Sequence, residues 1–336
     1  MGGSDLFDED EEEALEKLER LWIAFEEASD TAAPYAGSIG WKTNGGVEYL
    51  THTVNLRYEG NRQRTRSLGP RSPDTERRKA AFEAGREQAK VELDRIQGRL
   101  DIHAKVLKAL RIGRVQAVTA RFLRELRSEG FGAAHFTIGG NAALAAYEVR
   151  ARRRMPFSTG DSTDLDLMPT ELFVRDRGLF NAIAARKIFG PVEERRDSLV
   201  FGRGIVLRLL SGDVIEAWRR RMLHADAPDE EIDALNWAFE GPDAIPLLAV
   251  GLDGTPTPLP ALDPRAFAIL SSLEGRYLAD RSRAERLPAL AAACAAVART
   301  IVPEPFERGH LALFPEIADA IDEGGGHADD RIVMRP

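Results

Sequence analysis

Cysteine is almost missing from this chain: Cys294 is the only one in 336 residues. No disulfide can close within the chain, and a zinc site built on thiolates is excluded. Histidine is nearly as sparse. His52, His103, His135, His224, His310 and His327 stand far apart, so no metal-ligand cluster is evident and no Ser–His–Asp spacing argues for a hydrolase. No apolar run reaches membrane-spanning length, and nothing resembles the basic start and apolar core of a signal peptide. These absences predict a cytoplasmic protein with no membrane partner.

Lysine is scarce as well, and arginine carries most of the positive charge. Of the formal net charge of −8, seven come from Asp5, Asp8, Glu9, Asp10, Glu11, Glu12 and Glu13, leaving a body close to neutral at −1. Residues 1–13 read as a disordered, solubilising segment, or as an acidic one that competes with nucleic acid for basic surface. From Leu15 the apolar positions Leu18, Leu21, Trp22 and Phe25 recur every three or four residues, which predicts a helix. With 43% hydrophobic and 30% charged residues the composition is that of a globular protein, long enough for one large domain or two ordinary ones.

The stretch from Phe136 to Pro169 organises the rest. A short β-rich run ends at Gly139-Gly140, and Asn141 opens an alanine-rich segment of high helix propensity, where it is expected to cap the helix. A strand entering a helix through glycines leaves unpaired N–H groups at a helix N-terminus, where phosphate binds well. About two dozen residues on, Asp164-Leu165-Asp166-Leu167 alternates as a half-buried strand does, and carboxylates at i and i+2 share a face. Two like charges so close call for a cation, and hard carboxylate oxygens suit Mg²⁺ or Mn²⁺. Alone, the glycines can be a tight turn and the acids a solvated pair; together they point to a nucleotide site.

Gly139-Gly140, a helix and then Asp164-x-Asp166 resemble the DNA polymerase β-like nucleotidyltransferase superfamily. The likeness extends to a little-characterised bacterial branch through Trp41-Lys42, Glu48-Tyr49-Leu50, Arg66-Ser67-Leu68-Gly69, Thr75-Glu76 and Asp263-Pro264-Arg265, covering roughly residues 40–300. The resemblance implies that Gly139 and Gly140 contact the triphosphate of an NTP and that Asp164 and Asp166 hold the metal ions. It also implies a third carboxylate on a later strand. The best such strand, Gly204–Leu210, reads Leu207-Arg208 where the acid should stand, and Asp213 is the weak substitute among Glu193, Asp197, Asp213 and Glu216.

Upstream, Asn44-Gly45-Gly46 and Glu59-Gly60-Asn61 predict two hairpin turns. The second hairpin carries Arg57, Arg62, Arg64 and Arg66, with Arg71 beyond. Such charge either guards an edge strand against aggregation or forms an arm that tracks an RNA backbone. Ser72-Pro73 starts a long helix. The run Arg150–Arg154 is either a solvated helix end or a phosphate binder. Trp237 to Leu259 reads as a mixed β segment, and Asp263-Pro264 starts a further helix.

The expected fold is α/β (α+β), a mixed-sheet core with flanking units. These are an acidic tail and helix (1–35), a β-hairpin arm with a long helix (36–115), the nucleotidyltransferase core (116–225), a mostly helical region (226–325) and a flexible tail (326–336). The expected activity is metal-dependent transfer of a nucleoside monophosphate from an NTP to a hydroxyl, with RNA or tRNA as acceptor and a toxin or defence role. The alternatives are a nucleotide- or nucleic-acid-binding module that has lost its third acid, and a homo-oligomerising interaction protein on a relic scaffold.

Overall fold

The acidic block does not stay outside the fold. The computed structural model describes residues 6–56, 62–128, 130–155, 170–174, 181, 192–195, 198–201, 205–209, 212–277 and 284–325. Within it helix α1 (Glu9–Ala32) starts directly after Asp8, so the expectation of disorder through residue 13 is overturned for Glu9–Glu13. The reason is a capping box. The Asp8 carboxylate accepts from the Glu11 amide at 2.9 Å, and the Glu11 carboxylate accepts from the Asp8 amide at 3.1 Å. Four acids in the first turn then sit where the helix dipole favours negative charge.

After α1 come strands β1 (Ser38–Asn44), β2 (Val47–Leu56) and β3 (Arg62–Pro70), a three-stranded antiparallel sheet in the order β1-β2-β3. Gly45 and Gly46 both have positive φ, as the tight turn between β1 and β2 requires. Helix α2 (Pro73–Ala109) begins at the expected Ser72, whose hydroxyl accepts from the Thr75 amide. The joint between sheet and helix is one cluster. Arg71 lies over the Trp41 ring and holds Glu48 at 2.7 Å and Glu76 at 2.9 Å. Those two carboxylates raise the Arg71 pKa, Glu48 most of all. Arg71 is therefore structural and leaves the set of arm arginines.

Helices α1 and α2 pair through a buried seam that includes Leu15, Leu18, Leu21, Leu100 and Leu107. Each such leucine, removed from water, contributes about 1.5–3 kcal/mol before chain entropy is set against it. His103 lies in this seam, its Nε2 2.8 Å from the Ala14 carbonyl oxygen.

The larger sheet is built from β4 (Phe136–Gly139), β5 (Thr170–Val174), β6 (Val192–Arg195), β7 (Ser198–Phe201), β8 (Ile205–Leu209), β9 (Ile245–Val250) and β10 (Pro256–Ala261), in the order β6-β7-β8-β5-β4-β10-β9. It is mixed: β5 runs parallel to β8 and β10 parallel to β4, while the other neighbours are antiparallel. The helices around it are α3 (Ala117–Ser128), α4 (Gly140–Ala151), α5 (Gly212–His224), α6 (Asp229–Glu240), α7 (Pro264–Tyr277), α8 (Leu287–Ile301), α9 (Arg308–Leu313) and α10 (Pro315–Gly325). The mixed α/β class is as expected.

One element differs from expectation. Trp237 belongs to α6, not to a β segment, because Asp229, Glu230 and Glu231 favour a helix start and Ile232, Leu235 and Phe239 recur at helical spacing. The Asp263-Pro264 start holds: Asp263 accepts from the Arg265 amide at 2.7 Å. The Arg265 guanidinium returns to the same carboxylate and reaches the carbonyls of Glu304 and Pro305. Asp263-Pro264-Arg265 thus locks α7 to the chain before α9. Arg265 also lies over Trp237, against which His310 packs with ring centroids 4.7 Å apart.

Burial lowers the pKa of both His103 and His310 below the ordinary value, against smaller raising effects from the Ala14 carbonyl and Glu307. A histidine held neutral in the fold binds its proton more readily when unfolded, so stability is complete above the ordinary histidine pKa of about 6.5 and falls as pH drops toward the depressed folded values. The melting temperature should therefore fall between pH 7.5 and 5.5, and a His103→Gln/His310→Gln variant should lose much of that slope. An unchanged slope would place the acid sensitivity elsewhere.

Candidate active site at the glycine turn

Helix α4 is the centre of the core. Every residue from Ala142 to Val149 is buried, with sheet strands on one side and α8 on the other. Small side chains at Ala142, Ala143, Ala145 and Ala146 suit a helix that must be approached closely from several directions. Tyr147, fully buried, donates its hydroxyl proton to the Leu262 carbonyl at the end of β10.

The turn into α4 is made by the two glycines. Gly139 ends β4 in an extended conformation (φ −112°, ψ −169°) and serves as the helix cap, while Gly140 follows with φ +66°. A Cβ on Gly139 would come within 2.7 Å of the Phe173 ring. Asn141 is the second helical residue and not the cap, which corrects the expectation for it: the glycine before the turn already occupies the cap position. Among the described residues no side chain caps α4, in contrast to Asp8 on α1 and Ser72 on α2. The first-turn N–H groups of a buried helix therefore meet no side-chain acceptor among those residues.

Strand β5 runs antiparallel to β4 with Glu171 opposite Gly139 and Phe173 opposite Thr137. Glu171, which sequence reasoning missed, is a half-buried carboxylate beside the turn. Its signal was the short β-prone run Leu172–Val174 directly after it, a few residues beyond the acid pair. Phe173 packs edge-to-face on Phe239, which packs in turn on Trp218. Asp164 and Asp166 lie outside the described residues; in sequence they precede Thr170, the first residue of β5, by six and four positions.

On β8 the register sets Leu207 beside Leu172 and Arg208 beside Phe173. Asp213 belongs to α5, beyond the end of β8, and Glu216 is engaged by Arg219 at 2.9 Å. Glu193 lies on β6, and Asp197 lies outside the described residues. Among the described residues no group of three or more His, Cys, Asp or Glu side chains could hold a metal ion.

Two side chains of the arginine run, Arg152 and Arg154, are committed to structure. Arg152, left-handed at the helix end, reaches Glu19 at 2.9 Å and the Val149 carbonyl at 2.7 Å. Arg154 lies over the Phe7 ring and bridges Glu11 and the buried Glu148. Of the arm arginines, Arg64 and Arg66 are exposed, and no ion pair involves them among the described residues. They share a sheet face with His52, which packs on Phe82 of α2. Arg57 and the side chain of Arg62 lie outside what the structure describes.

A strand, a glycine turn and a buried helix at the middle of a mixed sheet define an α/β core. The chain belongs to the nucleotidyltransferase family, whose model matches residues 117–309, more than half of its length. No curated protein and no solved structure matches it. The match starts at the first residue of α3 and ends within α9, leaving α1, the three-stranded sheet and α2 outside. No helix among the described residues is long and apolar enough to cross a membrane.

Both glycines should resist substitution. Gly140→Ala puts a side chain into the left-handed region, at a cost of about 1–2 kcal/mol. Gly139→Ala drives Phe173 from its place and should cost about 1–3 kcal/mol. Equilibrium urea unfolding measures both, and wild-type stability in the two variants would show that the turn does not need glycine.

Proposed function

We propose that the chain is a metal-dependent nucleotidyltransferase of the polymerase β-like type, moving a nucleoside monophosphate from an NTP to a hydroxyl on RNA. The observation that carries this reading is the glycine turn between β4 and α4, with the Asp164-x-Asp166 stretch leading directly into the neighbouring strand. Family membership supplies the reaction class.

In this scheme the amides at Gly139 and Gly140 hold the triphosphate. The positive end of α4 favours its charge, and the absence of Cβ atoms lets the backbone come close. Asp164 and Asp166 are hard oxygen donors and would hold Mg²⁺ or Mn²⁺. When bound, the metal neutralises phosphate charge and lowers the pKa of the attacking hydroxyl. The acceptor oxygen forms its bond to the α-phosphorus as the bond to the bridging oxygen of the β-phosphate breaks, and pyrophosphate leaves. Positioning and electrostatics do this work, so the protein need form no covalent bond.

Incubation with each α-labelled NTP, Mg²⁺ or Mn²⁺ and total RNA tests the reading. Label should pass to RNA with the wild-type protein and fall to background with Asp164→Ala/Asp166→Ala, while the melting temperature stays put. NTP binding without any transfer would favour the second reading, a nucleotide-binding module. That reading draws on Arg208 in β8 at the place where the resembled superfamily carries its third acid.

The three-stranded sheet and α2 form, in this proposal, a separate arm for the acceptor, with Arg57, Arg62, Arg64 and Arg66 tracking its phosphates. Removing two phosphate contacts with Arg64→Ala/Arg66→Ala should weaken RNA binding at low salt. It should also reduce the slope of log K against log salt by roughly 1.4–1.8. An unaltered slope would remove the arm from the RNA surface. A tRNA acceptor would give the activity a toxin or defence role. For the homo-oligomer alternative, the exposed Val91, Ile102 and Val106 lie on one stripe of α2 and offer the surface.

A further inference from the structure

The prolines of β10 leave one edge of the strand without donors. In Pro256-Thr257-Pro258-Leu259-Pro260 every second residue lacks an N–H, yet the strand pairs with β9 along its whole length. An antiparallel ladder needs donors at alternate positions, so Thr257, Leu259 and Ala261 must face β9. The prolines therefore present their other edge toward β4, an edge that can offer carbonyl oxygens but no donors. Accordingly β10 meets β4 only at Ala261, opposite Ile138.

Two cavities of about 400 and 340 Å³ open beside β10, and they share Trp22, Arg127 and Pro258 in their walls. Both fall within the usual size of small-molecule sites, which also favour junctions between units. Here the junction lies between the α1–α2 pair and the core sheet. Phe136, at the far end of β4 from the glycine turn, lines the larger cavity.

The wall chemistry is specific. Trp22 and Phe25 stack with centroids 5.2 Å apart, and Pro256 and Pro258 line the same cavity, giving it largely apolar walls. Arg124 and Arg127, three residues apart on α3, bring two guanidinium groups to the slot. Arg127 lies over Trp22 and spends one nitrogen on Glu26, and Arg124 bonds Thr255 and Thr257 and pairs with the Asp253 carboxylate at 3.6 Å. Both side chains keep a third or more of their surface exposed. On the acceptor side stand the carboxylates of Glu26 and Asp101 with the proline carbonyls. A fitting ligand has flat apolar faces, N–H donors on one edge and an anionic group.

We propose that this slot binds a nucleoside monophosphate unit, with the base between Trp22 and the β10 prolines and the phosphate on Arg124 and Arg127. The site is separate from the glycine turn and does not depend on catalysis there. A free nucleotide and the terminal nucleotide of an RNA strand share this chemistry.

Saturation-transfer NMR with each of the four nucleoside 5′-monophosphates tests it on the full chain. Base protons of at least one should receive saturation from the wild-type protein. Arg127→Gln should weaken that binding about tenfold or more, the loss of a charge-assisted contact. Ser128→Tyr, which adds bulk at an exposed position in the slot wall, should abolish it without touching the fold. Gly140→Ala should leave the signal intact. A dinucleotide ending in the same base then separates the sources: displacement of the monophosphate marks a strand-end site, and failure to displace marks a free-nucleotide site. Silence from all four monophosphates overturns the proposal, as does a signal that survives both slot variants or is lost in Gly140→Ala.

Discussion

The burial of α4 on every side is the constraint from which the architecture follows. A helix enclosed by β4, β5, β9, β10 and α8 has little room for long side chains, and the alanines of Gly140–Ala151 answer that demand. Its two ends are treated differently. At the N-terminal end the chain supplies two glycines and, among the described residues, no capping side chain. At the C-terminal end it supplies Arg152 and Arg154, cations where the dipole is negative, and closes them with acids from α1.

That seal explains the charge pattern. The acidic block and the arginine run lie more than a hundred residues apart, yet Glu11 and Glu19 meet Arg154 and Arg152. Glu148, 1% exposed, sits between Arg154 at 3.0 Å and Arg114 at 3.6 Å. A buried carboxylate with one of those partners missing would be costly, because desolvation outweighs what a single exposed pair returns. Glu11, within the acidic block, is therefore part of the core's electrostatics.

Features carried by adjacent residues were legible in the sequence. Ser72-Pro73 and Asp263-Pro264 start helices because cap and first turn are encoded side by side, and Asn44-Gly45-Gly46 turns because two residues must take positive φ. The strand–glycine–helix turn was legible for the same reason. What stayed hidden depends on tertiary contact. Arg71 reads like the other arm arginines until Trp41, Glu48 and Glu76 converge on it. Asn141 reads as a cap until the glycine before it takes that place. Glu171 becomes notable only when strand register sets it beside Gly139.

The same distinction bears on how the two sides of β4 differ. On one side β5 pairs with all of it, from Phe136 opposite Val174 to Gly139 opposite Glu171. On the other, β10 pairs with it at Ile138, and the alternate prolines leave β10 no further donors for that edge. The glycine turn and the alternate prolines are both written in short local patterns. Yet neither pattern has meaning until the sheet order brings β10 beside β4. The chemistry is local and its location is global, so a nucleotide-handling surface in this chain has to be sought by strand neighbour and not by motif alone.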